Sequence, residues 1–141
     1  MYKRQLREFV RLIGFPITST LQGLGAFPGD DNQFIGMLGM HGTYEANLAM
    51  HNCDLLINVG ARFDDRVTGR LDAFSPNSKK IHIDIDPSSI NKIVQVDLPI
   101  IGDVKVVLKA IYNELKKQKM KKFSLKRWWL EIDKWLSLIH I

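Results

Sequence analysis

The chain has 141 residues, 45% of them apolar and 25% charged, and a single cysteine; that suits one soluble domain, rules out an internal disulfide, and makes the cytoplasm the expected compartment. No uncharged apolar run approaches the roughly 18 residues that a membrane-spanning helix needs, so no membrane partner is expected. The net charge of +5 is uneven, with ten Lys or Arg against three acids in residues 105–141 and ten against twelve before them, and without an RNA or DNA fold signature the run KKQKMKK reads as a solvated helix face or linker, not a nucleic-acid contact.

In chain order, residues 2–13 place Leu6, Phe9, Val10 and Ile13 at helical spacing, and Gly14 with Pro16 ends the helix. A βα unit ordinarily opens with a strand, so this start resembles a unit entered partway, with its first strand expected upstream. FPITST is β-prone, LQGLGAFPGDDNQ is a long loop, and FIGM is a short strand running into LGMHG. Thr43 with Glu45 marks the start of a helix over YEANLAMHN. DLLINVG has the continuous apolar character of a strand buried on both faces, and KKIHIDID alternates Ile81, Ile83 and Ile85 with His82, Asp84 and Asp86. PSSIN opens a brief helical turn, VQVDLPI predicts another strand, and Asp103 caps a helix carrying Val104, Val107, Leu108, Ile111 and Leu115. Residues 124–136 predict a last helix, capped by Ser124, with three tryptophans on its apolar side. Strands alternating with helices give an α/β fold, a mostly parallel sheet covered on both faces.

Four polar or glycine-rich clusters each follow a strand: TLQG, LGMHG, GARFDDR and the acids of DID. Open parallel sheets bind ligands outside the carboxyl ends of their strands, so these loops predict one groove. Glycine permits close backbone approach, arginine offers a fixed fork to a diphosphate, and a strand-end carboxylate suits ribose hydroxyls. Together they point to a nucleotide-bearing cofactor. No GxGxxG, GxxxxGK[ST], zinc spacing or GxSxG occurs.

Each residue also has a plainer reading. His41 between two glycines suits a helix cap, and Arg62 and Arg66 suit a surface network with Asp64, Asp65 or Asp72. Asp103 is accounted for as an N-cap, Cys53 as a buried inert thiol, and the tryptophans as core or interface anchors.

The stretches PITSTLQGLGAFPG, LGMHGTYEAN, GARFDDRVTGR and KKIHIDIDPSSINKIVQVDLPIIGDV, followed by the WW…W helix, resemble in order and spacing the acetolactate synthase (acetohydroxyacid synthase) family. The resemblance is to the central domain of the large catalytic subunit and runs from about residue 5 to 136. It implies a Rossmann-like FAD-binding unit over residues 1–120, entered after its first strand, and a linker helix over 121–141 leading to a further domain. It also implies an enzyme that condenses two pyruvates, or pyruvate and 2-oxobutyrate, on thiamine diphosphate with magnesium, as a homo-oligomer with a regulatory small subunit. The flavin there performs no net redox step.

By the resemblance, flavin-lining positions are Thr20, Leu21, Gln22, Gly39, Met40, His41, Gly42, Gly60, Arg62, Arg66, Val67, Asp84, Ile85, Asp103 and Val104. Gln22 stands where the family usually has methionine. Asp65 and Arg66 match a pair at the substrate channel, where arginine would admit an anionic 2-oxo acid. The family's activating glutamate and its magnesium and diphosphate motif match nothing in this chain, so no catalytic residue or metal ligand is expected in it. A non-catalytic interaction module built on the same domain is the alternative.

Overall fold

The computed structural model describes residues 2–118 and 124–138. In chain order they form α1 (Lys3–Ile13), β1 (Ile17–Ser19), β2 (Phe34–Met37), α2 (Tyr44–Asn52), β3 (Leu55–Val59), α3 (Asp65–Thr68), β4 (Lys79–Asp84), β5 (Leu98–Ile101), α4 (Val104–Lys117) and α5 (Lys126–Ser137). Short 3₁₀ turns at Leu21–Gly23, Leu71–Ala73 and Pro87–Ser89 interrupt the loops.

The helix boundaries follow from local chemistry. Gly14, at φ 73°, closes α1 by donating its N–H to the Val10 carbonyl, a left-handed cap that costs glycine little. Side chains of Thr43, Asp64 and Asp103 accept the free N–H groups of Ala46, Val67 and Val106, starting α2, α3 and α4. Ser124 does not cap α5. The N-cap position is Leu125 and makes no side-chain bond, so the helix begins at Lys126 and is held by packing instead.

All strand pairs are parallel, in two sheets ordered β1-β2 and β3-β4-β5. Leu55 pairs Lys79 and Val59 pairs Ile83, while Ile81 pairs Leu98 and Asp84 pairs Ile101. The strand expected over residues 94–100 begins only at Leu98. Asn91 takes a left-handed φ of 56°, and its Oδ1 accepts the Val96 N–H at 2.8 Å, so a turn consumes the backbone before it. Pro99 lies in β5, an edge strand, where a missing N–H is tolerated.

Helices cover both faces. Phe34 packs with Leu6, Phe9, Val10, Ile83 and Leu108 beneath α1 and α4. Its neighbour Ile35 packs with Leu38, Ala46, Ala49 and Ile132 beneath α2 and α5. Adjacent strand residues entering opposite cores are what the period-two alternation of a doubly covered strand requires. Trp128 and Trp135 meet edge to face at 5.7 Å, and Trp129 donates its indole N–H to the Gly14 carbonyl, so these residues are core anchors. The fold is a Rossmann-like α/β unit with parallel sheets and helices on either side.

Candidate functional site

The carboxyl ends of all five strands are stitched together along one rim. The Leu38 N–H donates to Ser19 O at 3.1 Å, joining the ends of β2 and β1. The Met40 N–H donates to Arg66 O at 2.9 Å, carrying the rim from β2 to α3, the short helix after β3. The Gly60 N–H donates to Ile83 O at 2.7 Å and the Gly102 N–H to Asp84 O at 2.9 Å, continuing it across β4 and β5. The strand ends from which the four loops singled out in the sequence depart therefore lie along one edge, beside the start of α4.

Two glycines make the close approaches possible. Gly39, at φ 97°, lies so near the next loop that a Cβ would overlap the Arg66 carbonyl, and Gly60, at φ 65°, leaves room for the Val104 side chain. Two asparagines hold the same loops. Asn47 accepts the Gly39 N–H at 2.9 Å and donates to Gly39 O at 3.1 Å, and Asn58 donates to Ala61 O at 2.7 Å. Sequence reasoning missed both, because an asparagine in a helix or strand interior carries no sign of which loop folds back onto it.

The remaining positions divide by exposure. Thr20, Val67 and Val104 are half-buried, while Gln22, His41, Arg62, Asp65, Arg66 and Asp103 are exposed. Leu21, Met40 and Ile85 are 68%, 68% and 67% exposed despite being apolar, and they sit on three different loops of the rim. Gly42 packs onto the backbone of Met37 and Leu38, where it serves the loop's own folding.

Of the acids near Arg62 and Arg66, Asp64 is committed to capping α3 and Asp72 pairs with Arg70. Among the described residues neither Arg62 nor Arg66 makes an ion pair, so the surface network expected around them does not form and two guanidinium groups face solvent at the rim.

Under the β3 loop, His82 is fully buried beneath the Phe63 ring, 5.1 Å between centroids, with its Nε2 3.6 Å from Asp84 Oδ2. Burial pushes its pKa below the ordinary value, and the Asp84 carboxylate only partly opposes that. Asp84 is itself buried and accepts the Asp86 N–H at 2.9 Å. Asp86 turns its carboxylate onto Ser88, whose hydrogen bonds hold it below the usual carboxylate range. Cys53 is partly buried, in contact with Ser75 Oγ at 3.3 Å, and burial pushes its thiol pKa up, as an inert cysteine requires. Among the described residues no group of three or more His, Cys, Asp or Glu is placed to hold a metal.

The family model for the thiamine pyrophosphate enzyme central domain matches residues 2–111. The chain is 53% identical over 134 residues to the acetolactate synthase large subunit of Buchnera aphidicola subsp. Schizaphis graminum, covering 95% of this chain. It is 52% identical over 132 residues to the Haemophilus influenzae large subunit, covering 93% of this chain, and 46% over 134 residues to the isozyme 3 large subunit of Escherichia coli, covering 94%. It spans 23% of the length of each of these relatives. The parallel α/β architecture and the match across most of its length place the chain in the thiamine pyrophosphate enzyme family, as a central domain.

Proposed function

We propose that this chain is the FAD-binding middle of an acetolactate synthase large subunit. The single observation that carries the reading is the edge of strand ends: exposed apolar side chains of Leu21, Met40 and Ile85 follow β1, β2 and β4, and Arg62 and Arg66, which make no ion pair among the described residues, follow β3. Water-facing apolar groups on separate loops suit the flat ring of a flavin, and free guanidinium forks suit its diphosphate. The residues present therefore fit the cofactor. Arg62 would grip the diphosphate, the glycines would let backbone approach it, and the Thr20–Gln22 turn would border the ring system.

In the full-length enzyme, FAD serves as a structural part of a site where thiamine diphosphate and magnesium supply the carbon–carbon bond-forming chemistry. The contribution of this chain is to bind, orient and admit. Arg66 and Asp65 would border the entrance, with Arg66 attracting the carboxylate of pyruvate or 2-oxobutyrate. A large subunit of this kind would work in the cytoplasm, paired with further copies and with a small regulatory subunit.

The test is Arg62→Ala in a full-length large subunit, with flavin stoichiometry measured after gel filtration. We expect FAD retention to fall by about tenfold or more, as for loss of a charge-assisted contact worth about 1.5–3 kcal/mol. Wild-type stoichiometry would remove Arg62 from the site.

A further inference from the structure

Leu6 and Phe9 of α1 pack with Leu108 of α4 in one core, and beside that seam the two helices border a pocket of about 280 Å³. It shares no residue with the rim. Fully buried Leu108 lines it, and around that apolar contact the lining is polar. Lys105, Lys109 and Tyr112 contribute from α4, spaced so that they follow one another along one face of the helix. Arg4, Gln5 and Glu8 contribute from the first turns of α1. Lys116 extends the α4 row, its ammonium 4.7 Å from the centre of the Tyr112 ring.

Three cations here meet one carboxylate. Lys105 and Lys109 stand four residues apart on one helix, where like charges repel. Lys105 is also in the first turn of α4, which holds no acid and where the helix dipole disfavours a cation. Neither lysine makes an ion pair among the described residues. Glu8 takes only the Nε of Arg4, at 2.8 Å, so the two terminal nitrogens of that guanidinium keep no partner among the described residues. The uncharged groups are free as well. Gln5 Oε1 is buried with no hydrogen-bond partner, and among the described residues the Asn113 side-chain amide makes none. A bound anion would offset the repulsion and use these donors together.

We propose that the pocket between α1 and α4 binds a small phosphate monoester with a short hydroxylated body. A phosphate group presents three outer oxygens, enough for the Arg4 fork and both lysine ammoniums, whereas a carboxylate has only two. The volume is near the lower end for small-molecule sites and exceeds what a phosphate group alone fills. The remaining space borders Gln5 and Asn113, whose amides can donate to or accept from hydroxyls. Glu8 holds Arg4 in place without occupying its outer edge. The inference goes beyond the flavin reading and does not depend on it.

The experiment titrates ribose 5-phosphate, inorganic phosphate and ribose in turn into the full 141-residue chain, isotope-labelled, and follows its amides by NMR. Ribose 5-phosphate should give saturable shifts at Lys105 and Lys109 and at the side-chain amides of Gln5 and Asn113. Arg4→Gln and Lys109→Gln should each weaken binding by about tenfold, as for loss of one charge-assisted contact. Both side chains are exposed, so the fold should persist, read from unchanged signals elsewhere. Arg62→Ala should leave the affinity unchanged, which separates this pocket from the arginines at the rim. Inorganic phosphate should bind about tenfold more weakly, having lost the hydroxyl contacts, and ribose alone should shift none of these residues. Shifts that never saturate, or that persist undiminished in both pocket variants, would reduce the effect to general attraction of anions to a basic surface and overturn the proposal. Equal affinity for inorganic phosphate would overturn the assignment to a monoester.

Discussion

Gly39 shows how tightly one residue can tie the rim together. Its φ of 97° disfavours any side chain, and the space a Cβ needs is occupied by the backbone of Arg66. Gly39→Ala should therefore destabilise the domain by about 1–3 kcal/mol, read from urea denaturation, and loosen the α3 turn that carries Arg66. Gly29→Ala is the control, because nothing lies within 4 Å of its Cβ position and its φ is ordinary. His82 makes a second prediction at this scale. Its folded pKa is lowered, so the unfolded chain binds the extra proton first, and the stabilising effect of a neutral buried ring is complete above about 6.5 and lost as pH falls below it. Unfolding free energy measured between pH 7.5 and 5.5 should fall, with Asp84 the charged neighbour that softens the slope. In His82→Gln that pH dependence should flatten, and an unchanged slope would assign it to another group.

At the scale of elements, caps and packing divide the work. Asp103 accepts the Val106 N–H at 3.1 Å at the start of α4, so Asp103→Ala should cost about 1 kcal/mol in thermal or urea unfolding while Asp103→Asn stays near wild type. If that carboxylate also meets a cofactor, Asp103→Asn would lower flavin retention with little loss of stability, which separates the two roles. α5 has no side-chain cap and depends on Ile132, fully buried against α2 and β2. Ile132→Ala should cost about 2–5 kcal/mol, the range for truncating a buried aliphatic side chain, and removing so much from a small domain should leave much of it unfolded near 37 °C. The helix starts at Thr43 and Asp103 were legible in the sequence because capping is local, a hydroxyl or carboxylate reaching two or three residues along. The start of β5 was not. A turn built on Asn91 spends the Val96 N–H, and the apolar letters of VQVDLPI carry no trace of that bond.

For the whole molecule, the rim spans both sheets, yet the described sheets share no strand, so the loops of β1 and β2 are held to those of β3–β5 by helix packing and by bonds such as Met40–Arg66. With FAD, thiamine diphosphate and magnesium added, the isolated chain should form no acetolactate from pyruvate in a colorimetric assay, since it spans 23% of its relatives' length. Turnover by the isolated chain would contradict the reading of this segment as a binding and positioning unit.

The sequence by itself determined the alternation of strands and helices, the layers that cover them, and which loops follow strand ends, because periodicity, caps and glycine placement act over a few residues. It also placed Arg62 and Arg66 after β3, though not their freedom from the neighbouring acids. That freedom depends on Asp64 turning to cap α3 and Asp72 turning to Arg70. The clamps of Asn47 and Asn58 and the burial of His82 were decided only by tertiary structure. Each depends on where distant segments lie in space, and short-range patterns of hydrophobicity and propensity carry no term for that.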